Sequence, residues 1–311
     1  MLIRRSLEQQ GFSPSVIDTM LKCRREKSVS LYDSYLNKWN DFCNDRKLDP
    51  IYASVQNVLD FLQFLFDDNS RGASAIGTAR SALSSVVILP DGSKVGENVF
   101  VKQFIRGIKS LKPAKPRYLS TWDPQLVIDM FLTDDWNSAK DLSLLALSAK
   151  TVMLILLATF QRGQIIVALN LDRMIMLEDE IRFEILASDV KQGSRKNFKP
   201  EPIIFKKIDE ARICIYEHVR VYLDRTSDVR GDVKQLFVIS RKPFNAVSRD
   251  SVSHWVKSVM REAGIDVDVF APGSTRSASA SGAFLSGVPL EHIMKMAGWS
   301  QSATFMKWYK R

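Results

Sequence analysis

The feature that most constrains this 311-residue chain is a break at Lys112-Pro113-Ala114-Lys115-Pro116-Arg117. Each proline removes a backbone N–H and crowds the preceding turn, so no helix runs through it. Its three cations keep the segment in water. The break separates residues 1–111 from 119–311, with 112–118 as a basic linker. A chain of this length can bury two cores, so each side is expected to be a domain.

Residues 1–111 read as helical throughout. Ser13-Pro14 sets a cap and a first-turn proline ahead of Val16, Ile17 and Met20. Leu31, Tyr35, Leu36, Trp39 and Phe42 recur at helical spacing and predict one apolar stripe. Val55, Val58, Leu59, Leu62, Leu65 and Phe66 predict another, stopped by Asp67-Asp68-Asn69. A third helix is expected to carry Ile76, Ala79, Arg80, Leu83 and Val87 and to end at Pro90-Asp91-Gly92. A fourth uses Val101, Phe104, Ile105 and Ile108.

Beyond the linker, Asp123-Pro124 starts a helix and residues 141–160 predict a long apolar one. The period then changes. Ile181, Phe183 and Ile185 alternate with Arg182 and Glu184 after the acidic turn Glu178-Asp179-Glu180, which predicts a β-hairpin with the apolar run from Met174 to Leu177. Pro202, Ile203, Ile204 and Phe205 supply a third strand after the loop 191–199. Helices are expected to resume after Phe237, with Val252, Trp255, Val256 and Val259 on one face and Gly264 as the stop. The fold class is therefore mainly α with a small antiparallel β-sheet.

Composition narrows the partner. With 44 Lys+Arg against 35 Asp+Glu the net charge is +9, which favours a polyanion through counterion release. Cys23, Cys43 and Cys214 have no metal-ligand spacing and cannot all pair, so they read as reduced and mostly packed. His218, His254 and His292 are scattered, and no metal site or cofactor is expected. No apolar run reaches the length of a membrane span, and the start of the chain lacks the apolar core of a secretory signal. A cytoplasmic or nuclear protein with no membrane partner is expected.

Five side chains carry candidate chemistry. Arg162 follows the long apolar helix, and a guanidinium at a buried helix terminus needs an anion or carboxylate. Lys191 is placed at the cap of the hairpin's second strand, where a flexible lysine can protonate a leaving alkoxide; Arg195 and Lys199 in the same loop compete with it. Arg276 stands at the start of a helix of small residues, 277–282, whose free N–H groups suit an anion. Trp299 and Tyr309 flank a short helix starting near Ser302, with Phe305 and Trp308 on its buried face. Taken singly, each reads as surface or core.

The order of the set resembles the tyrosine recombinase (phage integrase) family, and most of all the recombinases of DIRS-type retrotransposons. The strings are Thr159-Phe-Gln-Arg-Gly-Gln164, Lys191-Gln-Gly-Ser-Arg195, Ser274-Thr-Arg-Ser-Ala278, Gly287-Val-Pro-Leu290, Ala297-Gly-Trp-Ser300 and Thr304-Phe-Met-Lys-Trp-Tyr309. In the first domain Asn57-Val-Leu-Asp-Phe-Leu62 and Thr78-Ala-Arg-Ser-Ala-Leu83 are similar to that family's helical DNA-clamp domain. The resemblance implies a metal-free DNA transesterification. Tyr309 attacks phosphorus, Arg162 and Arg276 hold the non-bridging oxygens, Trp299 donates its indole N–H, and Lys191 protonates the leaving 5′-oxygen. It also implies a recombinase from a mobile element that acts on duplex DNA, contacted by Arg80, Lys112, Lys115, Arg117, Arg195 and Lys199. Self-association on DNA, dimer to tetramer, and nuclear localisation in a eukaryote or cytoplasmic localisation otherwise belong to the same expectation.

Two departures keep a second reading open. The residue three before Arg276, histidine in the family, is Gly273, and the acid expected three after Arg162 is Ile165. His292 is too distant in sequence to be appointed a substitute. The alternative is a catalytically weakened or domesticated DNA-binding remnant. A type IB topoisomerase shares the chemistry, but the helical first domain fits a recombinase better. Members of the family commonly extend past the tyrosine with a docking helix. The sequence ends at Arg311, so assembly through other surfaces, or a longer product, is the expectation.

Overall fold

Capping side chains decide where the first helices begin. The computed structural model describes residues 2–23, 26–68, 71–113, 117–136, 138–189 and 200–308. Helix α1 (Leu2–Gln9) precedes α2 (Pro14–Lys22), whose N-cap is Ser13 and whose first residue is the proline. Helix α3 (Glu26–Asp45) leads to α4 (Val55–Asp67). At its start Ser54 Oγ accepts from the Asn57 N–H, and Asn57 Oδ1 accepts from the Ser54 N–H, both at 3.1 Å, a reciprocal capping box. Helices α5 (Ala73–Leu83) and α6 (Val99–Leu111) follow, the latter capped by the Asn98 amide oxygen.

The chain divides into two units, Met1–Lys115 and Pro116–Arg311. The core of the first gathers Trp39, Phe42 and Phe61, with ring edges packed against faces at 5.1–5.3 Å. Trp39 satisfies its one polar atom by donating to the Pro50 carbonyl at 2.8 Å. Two expectations need correction. Leu31 is exposed rather than part of the buried stripe. Helix α5 ends at Leu83 instead of continuing through Val87, because the Ile88 N–H donates to the Ile51 carbonyl at 2.8 Å and draws the chain out of the helix.

In the second unit α7 (Gln125–Phe131) and a 3-10 turn at Asp134–Trp136 precede α8 (Leu144–Thr159). Helix α8 opens at Leu144, not 141, because Ser143 Oγ accepts from the Ala146 N–H at 3.1 Å. Next come α9 (Gly163–Ala168), β1 (Met174–Met176), β2 (Glu180–Phe183), β3 (Ile203–Lys206) and α10 (Ile215–Thr226). The unit closes with α11 (Arg249–Glu262), α12 (Thr275–Leu285), α13 (Leu290–Ala297) and α14 (Ser302–Trp308). Helix α8 is buried on every side from Leu147 to Leu157 because α10, α11 and α12 pack around it. The fold is mainly helical, with one small sheet.

The three strands are antiparallel in the order β1-β2-β3. Ile181 stands opposite Met176 and Phe205, and Phe183 opposite Met174 and Ile203. Period-two alternation puts Ile181, Phe183, Ile203 and Phe205 in the core and leaves Arg182 exposed. Helix α10 was not anticipated. Its buried stripe Tyr216, Val219 and Tyr222 has helical spacing, but Glu217, Arg220, Asp224 and Arg225 interleave it. Cys43 and Cys214 are buried and Cys23 is exposed. Among the described residues no helix is long and apolar enough to cross a membrane.

Candidate active site

Small residues bring Arg276 inside. A 3-10 turn at Pro272–Ser274 runs into α12, where Thr275 Oγ1 donates to the Pro272 carbonyl and Ser277 Oγ to the Ser274 carbonyl, each at 2.8 Å. Ala278, Ser279, Ala280 and Ser281 are buried, so α12 lies close on α8. At Gly282 a Cβ would stand 3.3 Å from Pro124 Cγ, so a larger residue would push the helix outward. Arg276 is consequently 4% exposed, not the surface arginine that a basic chain would offer by default. Its Nη2 donates to the Ala297 carbonyl at 2.8 Å, placing a permanent cation at the negative end of α13. Its Cζ lies 4.7 Å from the Trp299 ring centroid, a cation–π contact.

The end of α13 presents Trp299. Gly298 adopts a left-handed conformation (φ 65°), which costs a glycine nothing. Its N–H donates to the Lys295 carbonyl at 3.1 Å, and the Trp299 N–H reaches the Met294 carbonyl at 2.9 Å. These two bonds make a Schellman motif, with Trp299 packed back over the helix it terminates. Trp299 is 8% exposed and lies against Phe305 of α14, with ring centroids 5.6 Å apart. Tyr309 follows α14 directly and lies outside the described residues, as does the Trp308 side chain.

The segment that carries Arg162 meets α13 from the end of α8. Phe160, in a left-handed conformation (φ 53°), ends α8 and buries its ring in the cluster that contains Trp299, Ile293 and Phe305. Gln161 Nε2 donates to the Met296 carbonyl, next to the carbonyl that Arg276 holds. Arg162 then caps α9 with its backbone extended and its side chain exposed. The expectation of a cation at a buried helix terminus is thus corrected: the turn at Phe160 carries the guanidinium back into water. Ile165, where an acid was looked for, is buried in the main core of this unit.

The described residues on either side of the lysine loop make side-chain contacts. Gln164 Nε2 donates to the Asp189 carbonyl at 2.7 Å, and the Asp189 carboxylate pairs with Arg173 at 2.6 Å. On the far side Glu201 pairs with Lys295 of α13 at 3.7 Å. Strand β2 stops at Phe183, and a 3-10 turn at Ala187–Asp189 intervenes, so the second strand ends well before Lys191 rather than being capped by it. Lys191, Arg195 and Lys199 themselves lie outside the described residues.

The other cations are spread along the chain. Arg80 is half-buried in α5, with its Nε enclosed. Lys112 Nζ donates to the Arg71 carbonyl at 3.4 Å, Arg117 is exposed with its Cζ 5.4 Å from the Tyr118 ring centroid, and Lys115 lies outside the described residues. Gly273 is exposed, and no atom stands within 4 Å of a Cβ built on it. His292 is exposed on α13. Sequence reasoning missed Phe160 and Gln161 as anchors. Both sit inside the string that singled out Arg162, but the atoms they meet are 135 positions away in the case of Gln161.

Residues 135–311 match the model of the phage integrase family. Among solved structures the chain is similar to the XerH site-specific recombinase bound to palindromic difH substrate in a post-cleavage complex. The identity is 11% and the TM-score 0.56, over 81% of this chain and 67% of that one. It is also similar to a lambda integrase tetramer bound to a Holliday junction (12% identity, TM-score 0.51, 98% of this chain and 74% of that one). A third is the Tn1549 transposon integrase in complex with transposon right end DNA (10% identity, TM-score 0.51, 83% of this chain and 81% of that one). The chain spans about two thirds of the XerH recombinase it matches, and at these identities the likeness is one of fold. No curated protein sequence matches the chain. The family match takes in more than half of the chain, including Arg162, Arg276 and Trp299, and the protein belongs to the phage integrase family.

Proposed function

We propose that this protein is a site-specific DNA recombinase that cuts and rejoins duplex DNA through a 3′-phosphotyrosine on Tyr309. The tyrosine oxygen forms a bond to phosphorus, its phenolic proton passing to water, as the bond from phosphorus to the 5′-oxygen breaks and the 5′-hydroxyl leaves with a proton from Lys191. Arg162 and Arg276 hold the non-bridging oxygens, and Trp299 donates its N–H to the same phosphate. The intermediate keeps the energy of the phosphodiester, so religation needs neither nucleotide nor metal.

One observation supports this most. Arg276 grips the Ala297 carbonyl with Trp299 on its face, while Gln161 fastens the Arg162 segment to the adjacent Met296 carbonyl. Arg276 and Trp299 thus meet at the end of α13, where Gln161 also fastens the segment that carries Arg162. A phosphate is the group that two such cations and an indole donor suit.

The first unit and the linker would clamp the duplex through Arg80, Lys112, Lys115 and Arg117, with Arg195 and Lys199 from the lysine loop. Self-association on DNA, dimer to tetramer, fits a strand exchange that needs two cuts. The motif strings favour a mobile element of the DIRS retrotransposon type, working in the nucleus of a eukaryote or the cytoplasm otherwise. The second reading, a DNA-binding remnant, draws on Gly273, which offers no ring for proton transfer. A randomised pool of nicked suicide duplexes separates the two. Wild type is expected to give a covalent adduct on a denaturing gel, and Tyr309→Phe none. No adduct from wild type on any member of the pool removes the enzymatic reading.

A further inference from the structure

The exit of the linker is fastened to the turn that launches Arg276. Tyr118, two residues past Pro116, accepts on its hydroxyl from the Ala271 N–H at 3.1 Å, and its ring lies 5.4 Å from that of Phe270. Trp122 is buried and donates its indole N–H to Ser274 Oγ at 2.9 Å. The two bonds hold residues 271 and 274, on either side of Pro272 and Gly273. The pair is otherwise held by bonds within the turn, from the Ser274 N–H to the Ala271 carbonyl and from Thr275 to the Pro272 carbonyl. Proline has no N–H to donate. Glycine has no side chain, and it loses more backbone freedom on ordering than any other residue.

A shift of this turn passes directly into α12. The Pro272 and Ser274 carbonyls accept from Thr275 Oγ1 and Ser277 Oγ, the residues flanking Arg276. We propose that Tyr118 and Trp122 are positioning residues, which fix the turn at 271–274 and through it the place of Arg276. The tether rests on geometry in one unit; its effect on chemistry rests on the recombinase reading.

Two variants test it: Tyr118→Phe, which removes one hydroxyl, and Ser274→Ala, which removes the acceptor for Trp122. Amide exchange at Ala271 and the NMR signal of the Arg276 Nε–H, assigned by its loss in Arg276→Lys, read the tether without chemistry. Tyr118→Phe is expected to speed exchange at Ala271 roughly fivefold, the equivalent of one lost hydrogen bond. Both variants are expected to move the Arg276 signal. On a nicked duplex enriched from a random pool by wild type, adduct formation should slow about tenfold while DNA affinity stays within about twofold. An unmoved Arg276 signal, or a loss of DNA affinity with the adduct rate unchanged, overturns the proposal. A moved signal upholds the tether even where wild type forms no adduct, an outcome that counts against the recombinase reading alone.

Discussion

The two units treat charge in opposite ways. Among the described residues of the first, the buried polar side chains are Ser6 and Asn98, both neutral, while Lys102, Arg106 and Lys109 stand exposed along one side of α6. The second buries Lys150, Arg230, Arg276, Glu180 and His218. Exposed cations keep their hydration and attract a polyanion at long range, with an effect that salt screens. Buried cations need acceptors fixed in space, and here these are backbone carbonyls, joined at Arg230 by the Thr226 hydroxyl. Lys150 donates to Phe131 and Trp136, Arg230 to Gln235 and Leu236, and Arg276 to Ala297. Burial holds the Lys150 ammonium down to about 8. The difference separates attraction from placement: the first unit keeps its cations at the surface, and the second, besides its own surface cations, sets individual charges at helix and turn ends.

Removal of one cation from each unit tells attraction from placement. Arg276→Ala is expected to slow adduct formation by roughly 10²–10³, the usual loss when a fixed donor to a developing negative charge is deleted. Arg106→Ala is expected to leave the rate at saturating DNA unchanged. Gel quantification of adduct over time measures both, and an equal loss from the two would show that charge, not placement, governs the chemistry.

Acid should affect the second unit through His218. Its Nδ1 lies 2.8 Å from the Cys214 carbonyl, which can only accept, so the neutral ring carries its proton there. Burial pushes its pKa down from the ordinary imidazole value of 6.5 to about 4. A histidine depressed in the fold contributes stability that is present above 6.5 and lost as pH falls through about 4. Roughly 3 kcal/mol should disappear across that window. All three histidines lie beyond the linker, so amide protection, corrected for the intrinsic pH dependence of exchange, should fall in α10 between these pH values with less change in α4. His218→Gln should flatten the response of α10, and an unaltered response would assign the acid sensitivity elsewhere.

Salt should act mainly on the first unit. Each of Lys102, Arg106 and Lys109 that meets a phosphate contributes about one to the slope of log affinity against log salt. Alanine at all three is therefore expected to flatten that slope, measured by fluorescence anisotropy. The loss at moderate salt should be several-fold per residue at most. A slope unchanged by the triple variant would place the phosphate contacts on other faces.

What the sequence disclosed and what it hid follow from the range of the interactions. Helix α4 was legible because its capping pair and apolar stripe are local, and so was the hairpin, whose alternation surrounds an acidic turn. Arg162, Arg276 and Trp299 were legible as residue types in a fixed order. Their environments were not. The acceptor for Arg276 is a backbone carbonyl 21 positions away, and carbonyls leave no mark in a sequence. Tyr118 meets Ala271 across 153 positions. Helix α10 was lost because its charges interrupt a stripe that only burial against α8 makes visible.

The smallest expected effect on stability is the most informative about the site. Gly273 is exposed, its φ lies outside the left-handed region, and a Cβ there meets nothing within 4 Å. No conformational reason for glycine is apparent at this position. Gly273→Ala should stabilise by about 0.4–1 kcal/mol, chiefly by restricting the unfolded chain, and Gly273→His should shift unfolding by no more than about 0.5 kcal/mol. Thermal unfolding measures both, and a loss above roughly 2 kcal/mol would mean that the turn between Tyr118 and Trp122 tolerates no side chain. The histidine adds a titratable ring one helical turn before a cation already fixed at α13. Adduct formation should therefore rise in Gly273→His, with a new dependence on pH near the imidazole range, and stay at the wild-type rate in Gly273→Ala. Equal rates in the two variants would mean that the ring does not reach the phosphate that Arg276 is proposed to hold.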